Sequence, residues 1–482
     1  MSDTITISPL TRVEGHGKVT IHLDDNHKVT ESRLHIVEFR GFERFIQGRP
    51  FWEMPVIVQR LCGICPVSHH LAAAKALDSF LGLSQHDLPI TAYKMRRLMH
   101  YGQILQSHAL HFFYLSSPDL LFGIGADPSI RNIIGVAGQF PELAKKGILL
   151  RKYGQEVIRL TAGKRIHGTG AIPGGINKNL SLEEKASLLD KKNGMHVDTM
   201  INWAEETLSF FQGFHQKNQK LIDNFSVVPS AYMSLVNRDG GLELYDGKLR
   251  VIDADGNMIA DGINEKQYHT FIKEEVKEWS YMKFPFLTQL GPKSGWYRVG
   301  PLARLNCAEF IATPKAQKAF EHFKAYTNGK PNHMTMHMHW ARLIELLHAA
   351  EIIKELLEDS DLQGEELIAK GEKGKEGIGI IEAPRGTLIH HYRIGEDDLV
   401  EMANLIVSTT HNNEGINRAV NEVAKKYMEE QTNITEEMMN AVEVAIRAYD
   451  PCLSCATHAL GQMPLEVSLY DTNNDILEEK FR

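Results

Sequence analysis

Residues 450–458 read Asp-Pro-Cys-Leu-Ser-Cys-Ala-Thr-His, and residues 60–65 read Arg-Leu-Cys-Gly-Ile-Cys. Each stretch holds a C-x-x-C pair, and the C-terminal one adds His458 three residues beyond Cys455. The chain has five cysteines in 482 residues, too few for a disulfide scaffold, yet four of them fall into these two pairs. Four thiolates converging on one point suit soft or borderline metals: zinc, iron, nickel or copper(I). Pairs at opposite ends of the chain share a site only if the whole chain folds around it. The spacing therefore predicts one interleaved domain, although a chain of this length would make about three average domains.

A closed zinc site with four cysteine ligands accounts for the pairs as such. Structural zinc, however, usually ties a small loop-rich unit whose pairs lie about 15–20 residues apart. His458 would also be one ligand too many for a closed tetrahedron. Neither pair follows a strand within a βαβ pattern, which disfavours a thioredoxin-like dithiol. An open, functional metal site is the sharper reading and stands beside the structural zinc one.

Apolar residues make up 43% of the chain and charged residues 24%, an ordinary globular balance. A net charge of -8 and a pI near 6.3 give no electrostatic reason to bind nucleic acid or anionic lipid. The sequence has no apolar run near the roughly 18 residues of a membrane span, so direct membrane contact is not expected. Its N-terminus lacks the layout of a signal peptide. A cytoplasmic location is the default expectation, unless the chain is exported as cargo on a partner.

Residues 4–23 and 28–38 alternate as strands do, with "DDNHK" as the turn between them. "EMPVIVQRLCGIC" is apolar at helical spacing, and Pro66 opens a second helix. Residues 88–115, 197–224, 334–358 and 435–449 read as long amphipathic helices. Segments 231–262 and 373–394 carry strand and turn signals. The predicted fold class is α+β: a core bundle of long helices with small mixed sheets at its periphery.

Further fragments accompany the pairs. "LTRVEGHGKV" sets Glu14 in a glycine-flanked turn, "EFRGFERF" sets Glu43 ahead of the first pair, and "EAPRGTLIHH" sets Arg385 at a strand-to-strand turn. Singly these read as a solvated glutamate, a surface ion pair and a turn arginine. Together with "RLCGICPVSH" and "DPCLSCATH", they resemble the catalytic large subunit of nickel–iron hydrogenases, closest to the soluble bidirectional NAD-reducing group. The resemblance covers essentially the whole chain. The quinone-site subunit of respiratory complex I shares this fold without the metal-binding cysteines, all four of which are present here.

That resemblance implies reversible cleavage of dihydrogen. Cys62 and Cys452 would be terminal nickel ligands, and Cys65 and Cys455 would bridge nickel to an iron carrying carbon monoxide and cyanide. Glu43, His458 and the backbone carbonyl near Leu405 would hold magnesium, with water completing its shell. Arg385 would lie over the open face, and Ser408 or Thr409 would donate to a cyanide. Dihydrogen is a very weak acid, so its heterolysis needs a Lewis acid and an adjacent base. By family analogy Cys452 takes the proton and Glu14 relays it outward.

Once four cysteines are spent, Cys307 alone cannot hold an iron–sulfur cluster. The resemblance therefore implies an iron–sulfur small subunit, followed by a flavin (FMN) and NAD(P) diaphorase module. No convincing dinucleotide fingerprint appears in this chain. It also implies that residues 1–458 form the mature catalytic domain, a maturation endopeptidase cutting between His458 and Ala459 to remove residues 459–482. The alternatives are a metal-free quinone-linked relative and a structural zinc scaffold.

Other features read as packing. His333, His337 and His339 interleave with methionines at the start of a helix. "GTGAIPGG" (168–175) lacks the Lys-Ser/Thr of a phosphate loop, and the analogy puts it, with His167, near the small subunit. Cys307 reads as a buried small hydrophobe, and His69 as a hydrogen-bond partner for a ligand.

Overall fold

A computed structural model describes residues 4–38, 40–190, 195–431 and 433–457, and the backbone of two further strands, Glu466–Tyr470 and Ile476–Phe481. His458 and Ala459 lie outside the described residues.

The chain opens with three antiparallel strands, Thr4–Ile7, Gly17–Leu23 and Val29–Ile36, paired in that order. The alternation across 4–23 predicts one strand, and the structure divides it. Pro9 removes a ladder donor, while Arg12 (φ 54°) and Gly15 (φ 81°) take left-handed conformations that no strand accommodates. Val19, Ile21, Leu34 and Ile36 are buried. Leu34 N–H donates to Asn417 Oδ1 of the Asn413–Met428 helix at 2.7 Å.

Long helices form the centre. Ile90–Leu110 packs against Pro141–Ala162 and His337–Glu358, and the latter also packs against Val197–Lys217 and Pro314–Tyr326. Glu436–Ala448 lies on Asn413–Met428. The four predicted helices are present. That of 88–115 ends in a wider π-helical turn, His111–Ser116. The apolar run ahead of the first cysteine pair is three short helical turns, Phe51–Glu53, Met54–Ile57 and Val58–Leu61.

Pro141–Ala162 meets the 90–110 helix backbone to backbone. A Cβ on Gly154 would lie 2.7 Å from the Gly102 carbonyl oxygen and 2.8 Å from Gln106 N. Only glycine permits that approach. The Pro66–Phe80 helix lies equally close to the strand Glu376–Ala383, where a Cβ on Gly377 would fall 1.9 Å from Ala76 O. That strand forms a hairpin with Gly386–Ile394, and Val400–Ile406 completes the sheet. A separate sheet orders Tyr297–Arg298, Ala231–Val236, Lys248–Ile252 and Met258–Ile263.

The two chain ends are laced together, as a shared cysteine site requires. Thr11 N–H donates to Glu443 at 2.7 Å, and Arg447 Nε donates to Thr11 O at 3.0 Å. Asp119 accepts from Arg12 at 2.5 Å and from Arg447 at 3.0 Å, a buried network with its charges paired. Among the described residues, no helix is long and apolar enough to cross a membrane.

Candidate metal centre

The first pair sits where the 58–61 turn ends. Cys62 leaves it in extended conformation, and its Sγ accepts from Ile64 N–H (3.2 Å) and Cys65 N–H (3.3 Å). Cys65 then caps the Pro66–Phe80 helix, whose first position is filled by Pro66, a residue with no donor to leave unsatisfied. The partial positive charge of a helix N-terminus there favours thiolate. Gln103 and Gln106, on the 90–110 helix, both donate to the Ile64 carbonyl at 2.9 and 2.8 Å and fix the loop between the two cysteines.

The second pair arrives from the other end of the chain. Leu453 N–H donates to Glu14 O at 3.0 Å, joining Glu14 and Cys452 in a short parallel bridge. Gly15 is obligatory here: it has positive φ, and a Cβ would lie 2.8 Å from Ser454 N. Cys452 N–H is held by Thr409 Oγ1 at 2.9 Å.

The four sulfurs converge as the spacing predicts. All lie within 4.8 Å of one another, and all four residues are buried. Cys62 and Cys452 are 3.3 Å apart, Cys65 and Cys455 3.8 Å, Cys452 and Cys455 2.9 Å, and none is disulfide-bonded. Such a cluster resists charging on its own. Hydrogen bonding with the neighbouring thiols, Cys452 first and then Cys455 and Cys62, holds Cys65 well below the usual thiol range, whereas burial pushes Cys452 and Cys455 well above it. Bringing all four to thiolate requires cations among them. The donor set fits thiophilic metal.

Above the cluster is a small cavity of about 10 Å³, lined by Cys65, His69, Arg385, Ser408, Thr409 and Cys452 among others. Arg385 reaches it from the turn between the 376–383 and 386–394 strands. Its Nε donates to Asp450 O (2.6 Å) and its Nη2 to Asp450 Oδ1 (3.0 Å), while Nη1 is buried with no hydrogen-bond partner among the described residues. Burial works against the guanidinium, but Asp450 and the thiols outweigh it and keep Arg385 cationic. An unpaired buried donor over a cavity is a binding feature, because leaving it empty-handed is costly. Ser408 Oγ gives its proton to Gly386 O at 2.7 Å, whereas Thr409 Oγ1 accepts from Cys452 and keeps its own.

Glu14 Oε2 lies 3.0 Å from Cys452 Sγ and 3.2 Å from Ser454 N. The residue is half-buried, between the cluster and the outside. His69 Nε2 is 3.4 Å from Cys455 Sγ, and its Nδ1 meets His390 Nε2 at 3.1 Å. Burial, with His69 nearby, holds His390 well below the usual imidazole range, so it is neutral. His167 Nε2 touches Cys62 O at 3.2 Å.

Glu43 lies in a separate polar pocket, where Oε1 accepts from Leu405 N–H at 2.7 Å. No motif in the sequence pointed to its other neighbours. Lys283 Nζ is 3.4 Å from Glu43 and from Glu274 and 3.2 Å from Asn404 Oδ1. Two carboxylates and an amide oxygen thus surround the Lys283 ammonium, which pairs the charge of this pocket.

The remaining histidines disperse. His333 bonds Tyr232 and Ala254 O, and His339 stacks on His111. His337 and His215 both reach Asp223, at 3.0 and 2.8 Å. Asn332 takes Met334 N–H on its oxygen and so donates its amide to His337 Nδ1, which places the His337 proton on Nε2, facing Asp223. That tautomer makes a hydrogen-bonded cluster, since a metal would need the bare nitrogen. The 168–175 loop packs on the 66–80 helix, with Gly174 N–H donated to Asp78. Cys307 is buried and its thiol is pushed up to about 12 by burial, as an inert packing residue should be.

Buried paired thiols, an arginine over them and a carboxylate beside them, in one fold closed by both chain ends, define the large subunit of a metal-dependent hydrogenase. The chain belongs to the nickel-dependent hydrogenase family, whose family model matches residues 40–124 and 244–458, with a HoxL-like model matching residues 4–39. It is 51% identical to the beta subunit of the NAD-reducing hydrogenase HoxS of Cupriavidus necator, over the full length of both chains. The F420-non-reducing hydrogenase of Methanothermobacter thermautotrophicus has a subunit 42% identical to it, with 98% of this chain and 99% of that one covered. The fold matches an NAD+-reducing [NiFe]-hydrogenase solved in the H2-reduced state, with a TM-score of 0.91 and 55% identity over 95% of this chain and 99% of the other. A Ni-Fe-Se hydrogenase of Desulfovibrio vulgaris Hildenborough shares the fold at 24% identity, with a TM-score of 0.73, over 95% of this chain and 100% of that one.

Proposed function

We propose that this chain oxidises dihydrogen reversibly in the cytoplasm and delivers the electrons to NAD(P), first through an iron–sulfur small subunit, then through an FMN-containing diaphorase. The observation that carries the proposal is the four-sulfur cluster under Arg385 and beside Glu14; the 51% identity to one subunit of an NAD-reducing enzyme supports the choice of acceptor.

A nickel–iron pair with carbon monoxide and cyanide ligands, when bound, supplies the Lewis acidity and the electron acceptor that heterolysis of dihydrogen needs. Cys62, Cys65, Cys452 and Cys455 would together hold the two metals. The cavity admits only a very small molecule, and Arg385 Nη1 offers it, or a cyanide, a charge-assisted donor. Thr409, with its hydroxyl proton uncommitted, suits a second cyanide better than Ser408. Cys452 takes the proton released and passes it across 3.0 Å to Glu14 Oε2, whose half-buried position leads outward. Glu43, His458 and the backbone carbonyl of Leu405 would hold magnesium, and Lys283 lies beside Glu43.

Electrons leave through another chain, since Cys307 is the only cysteine left over. Just ahead of Cys62 in the chain, Phe45, Trp52 and Val56 are each exposed, which suits an interface with the small subunit. Residues 459–482 are proposed to be removed by a maturation endopeptidase; the family match ending at residue 458 supports this. Intact mass of active enzyme tests it: a chain ending at His458 is expected, and a fully active one ending at Arg482 refutes it. For the function itself, a complex purified through this chain should reduce NAD(P)+ with dihydrogen, and Cys452→Ala should abolish this with every component still expressed. Hydrogen-independent activity, or activity undiminished by the substitution, would overturn the proposal.

A further inference from the structure

Behind Cys455 runs a string of buried side chains that the proposed reaction does not use. Tyr392 Oη lies 2.7 Å from His390 Nδ1, His390 Nε2 lies 3.1 Å from His69 Nδ1, and His69 Nε2 lies 3.4 Å from Cys455 Sγ. All three side chains are buried, at 0–1% exposure.

The proton positions along the string follow from either end. A buried phenol keeps its proton, and among the described residues Tyr392 Oη bonds only to His390 Nδ1, so it donates there. Neutral His390 then carries its proton on Nε2 and donates it to His69 Nδ1. His69 is left with its proton on Nε2, aimed at Cys455. From the opposite end, a metal-bound Cys455 is a thiolate with nothing to donate. Its contact with His69 therefore also needs the proton on Nε2. The two deductions agree on one tautomer.

We infer that Tyr392 and His390 are positioning residues that lock His69 as a hydrogen-bond donor to the Cys455 thiolate, and thereby withdraw electron density from that one sulfur. This rests on the metal reading above. The three bonds point the same way, so each polarises the next toward the sulfur. The effect is asymmetric: Cys455 faces the imidazole string, while Cys452 faces the Glu14 carboxylate. Removing the phenol frees His390 to adopt either tautomer, so it no longer holds a donor against His69 Nδ1 and the donation from His69 to the sulfur weakens. The thiolate then gives more electron density to the metals, and a metal-bound carbon monoxide vibrates at lower frequency.

Infrared spectroscopy of the intact complex tests this, with nickel content as the control. Tyr392→Phe should move the carbonyl band to lower wavenumber with nickel retained. Fluorotyrosine incorporated at position 392, a stronger acid of the same shape, should move it to higher wavenumber. If Tyr392→Phe fails to take up nickel, the fluorotyrosine enzyme decides alone. Carbonyl bands present in the wild type and unmoved by fluorotyrosine would overturn the inference and leave the metal reading intact. A wild-type complex without carbonyl and cyanide bands would overturn the metal reading itself, and the inference with it.

Discussion

Replacing Glu14 with glutamine separates proton relay from architecture at a single atom. The amide keeps the side-chain shape and an oxygen to accept Ser454 N–H, which lies 3.2 Å from Glu14 Oε2. The Leu453 N–H to Glu14 O bond belongs to the backbone and is untouched. The cysteine pairs should therefore still assemble, and nickel content should match the wild type. What is lost is the titrating group 3.0 Å from Cys452 Sγ. A positioned general base contributes about 10²–10⁴-fold, equivalent to about 3–5 kcal/mol of barrier at 1.36 kcal/mol per tenfold. Hydrogen/deuterium exchange without an electron acceptor reads this step directly, because it needs the proton path and no electron exit. Exchange should fall by about that factor in Glu14→Gln at unchanged nickel content. Full exchange in the variant would refute the relay.

Arg385→Lys should lower turnover by about 10²–10³-fold with metal retained, since one ammonium cannot bond Asp450 at two atoms and also reach the cavity; undiminished turnover would remove Arg385 from the reaction. Gly154→Ala should destabilise the fold by about 1–3 kcal/mol in denaturant titration, because its methyl group would meet the Gly102 carbonyl at 2.7 Å. Burial holds His70, His108, His337 and His348 at about 4, below the ordinary 6.5. Between these values the unfolded chain binds more protons than the folded one, so stability rises with pH in that window. The thermal midpoint should fall as pH drops from 6.5 toward 4, and a flat midpoint would contradict the neutral buried histidines.

The cysteine cluster was legible because ligand spacing is local: two C-x-x-C pairs announce themselves wherever the chain puts them, and their separation demanded a closed, interleaved fold. Glu14, Glu43 and Arg385 were legible only as members of a constellation, since each alone reads as a surface charge. The side chains that fix the site were not legible. Gln103 and Gln106 reach Ile64 from the face of a helix whose pattern says only that it is buried. Lys283 meets Glu43 across 240 residues, and His390 meets His69 across 321, with no local motif at either end. The Pro141–Ala162 helix escaped for a related reason. Gly147 and Gly154 weaken its helical signal, yet they are what allow its close packing: a Cβ on Gly147 would lie 2.4 Å from Phe113 Cγ.

Everything proposed for the site depends on what the four sulfurs hold. Elemental analysis of the active complex, beside a variant in which Cys65 and Cys455 are both replaced by serine, tests this most directly. Nickel should be present in the wild type in an amount equal to this chain and absent from the variant, with a matching loss of iron beyond that of the iron–sulfur clusters. Zinc in place of nickel in the wild type, or nickel retained by the variant, would contradict the account.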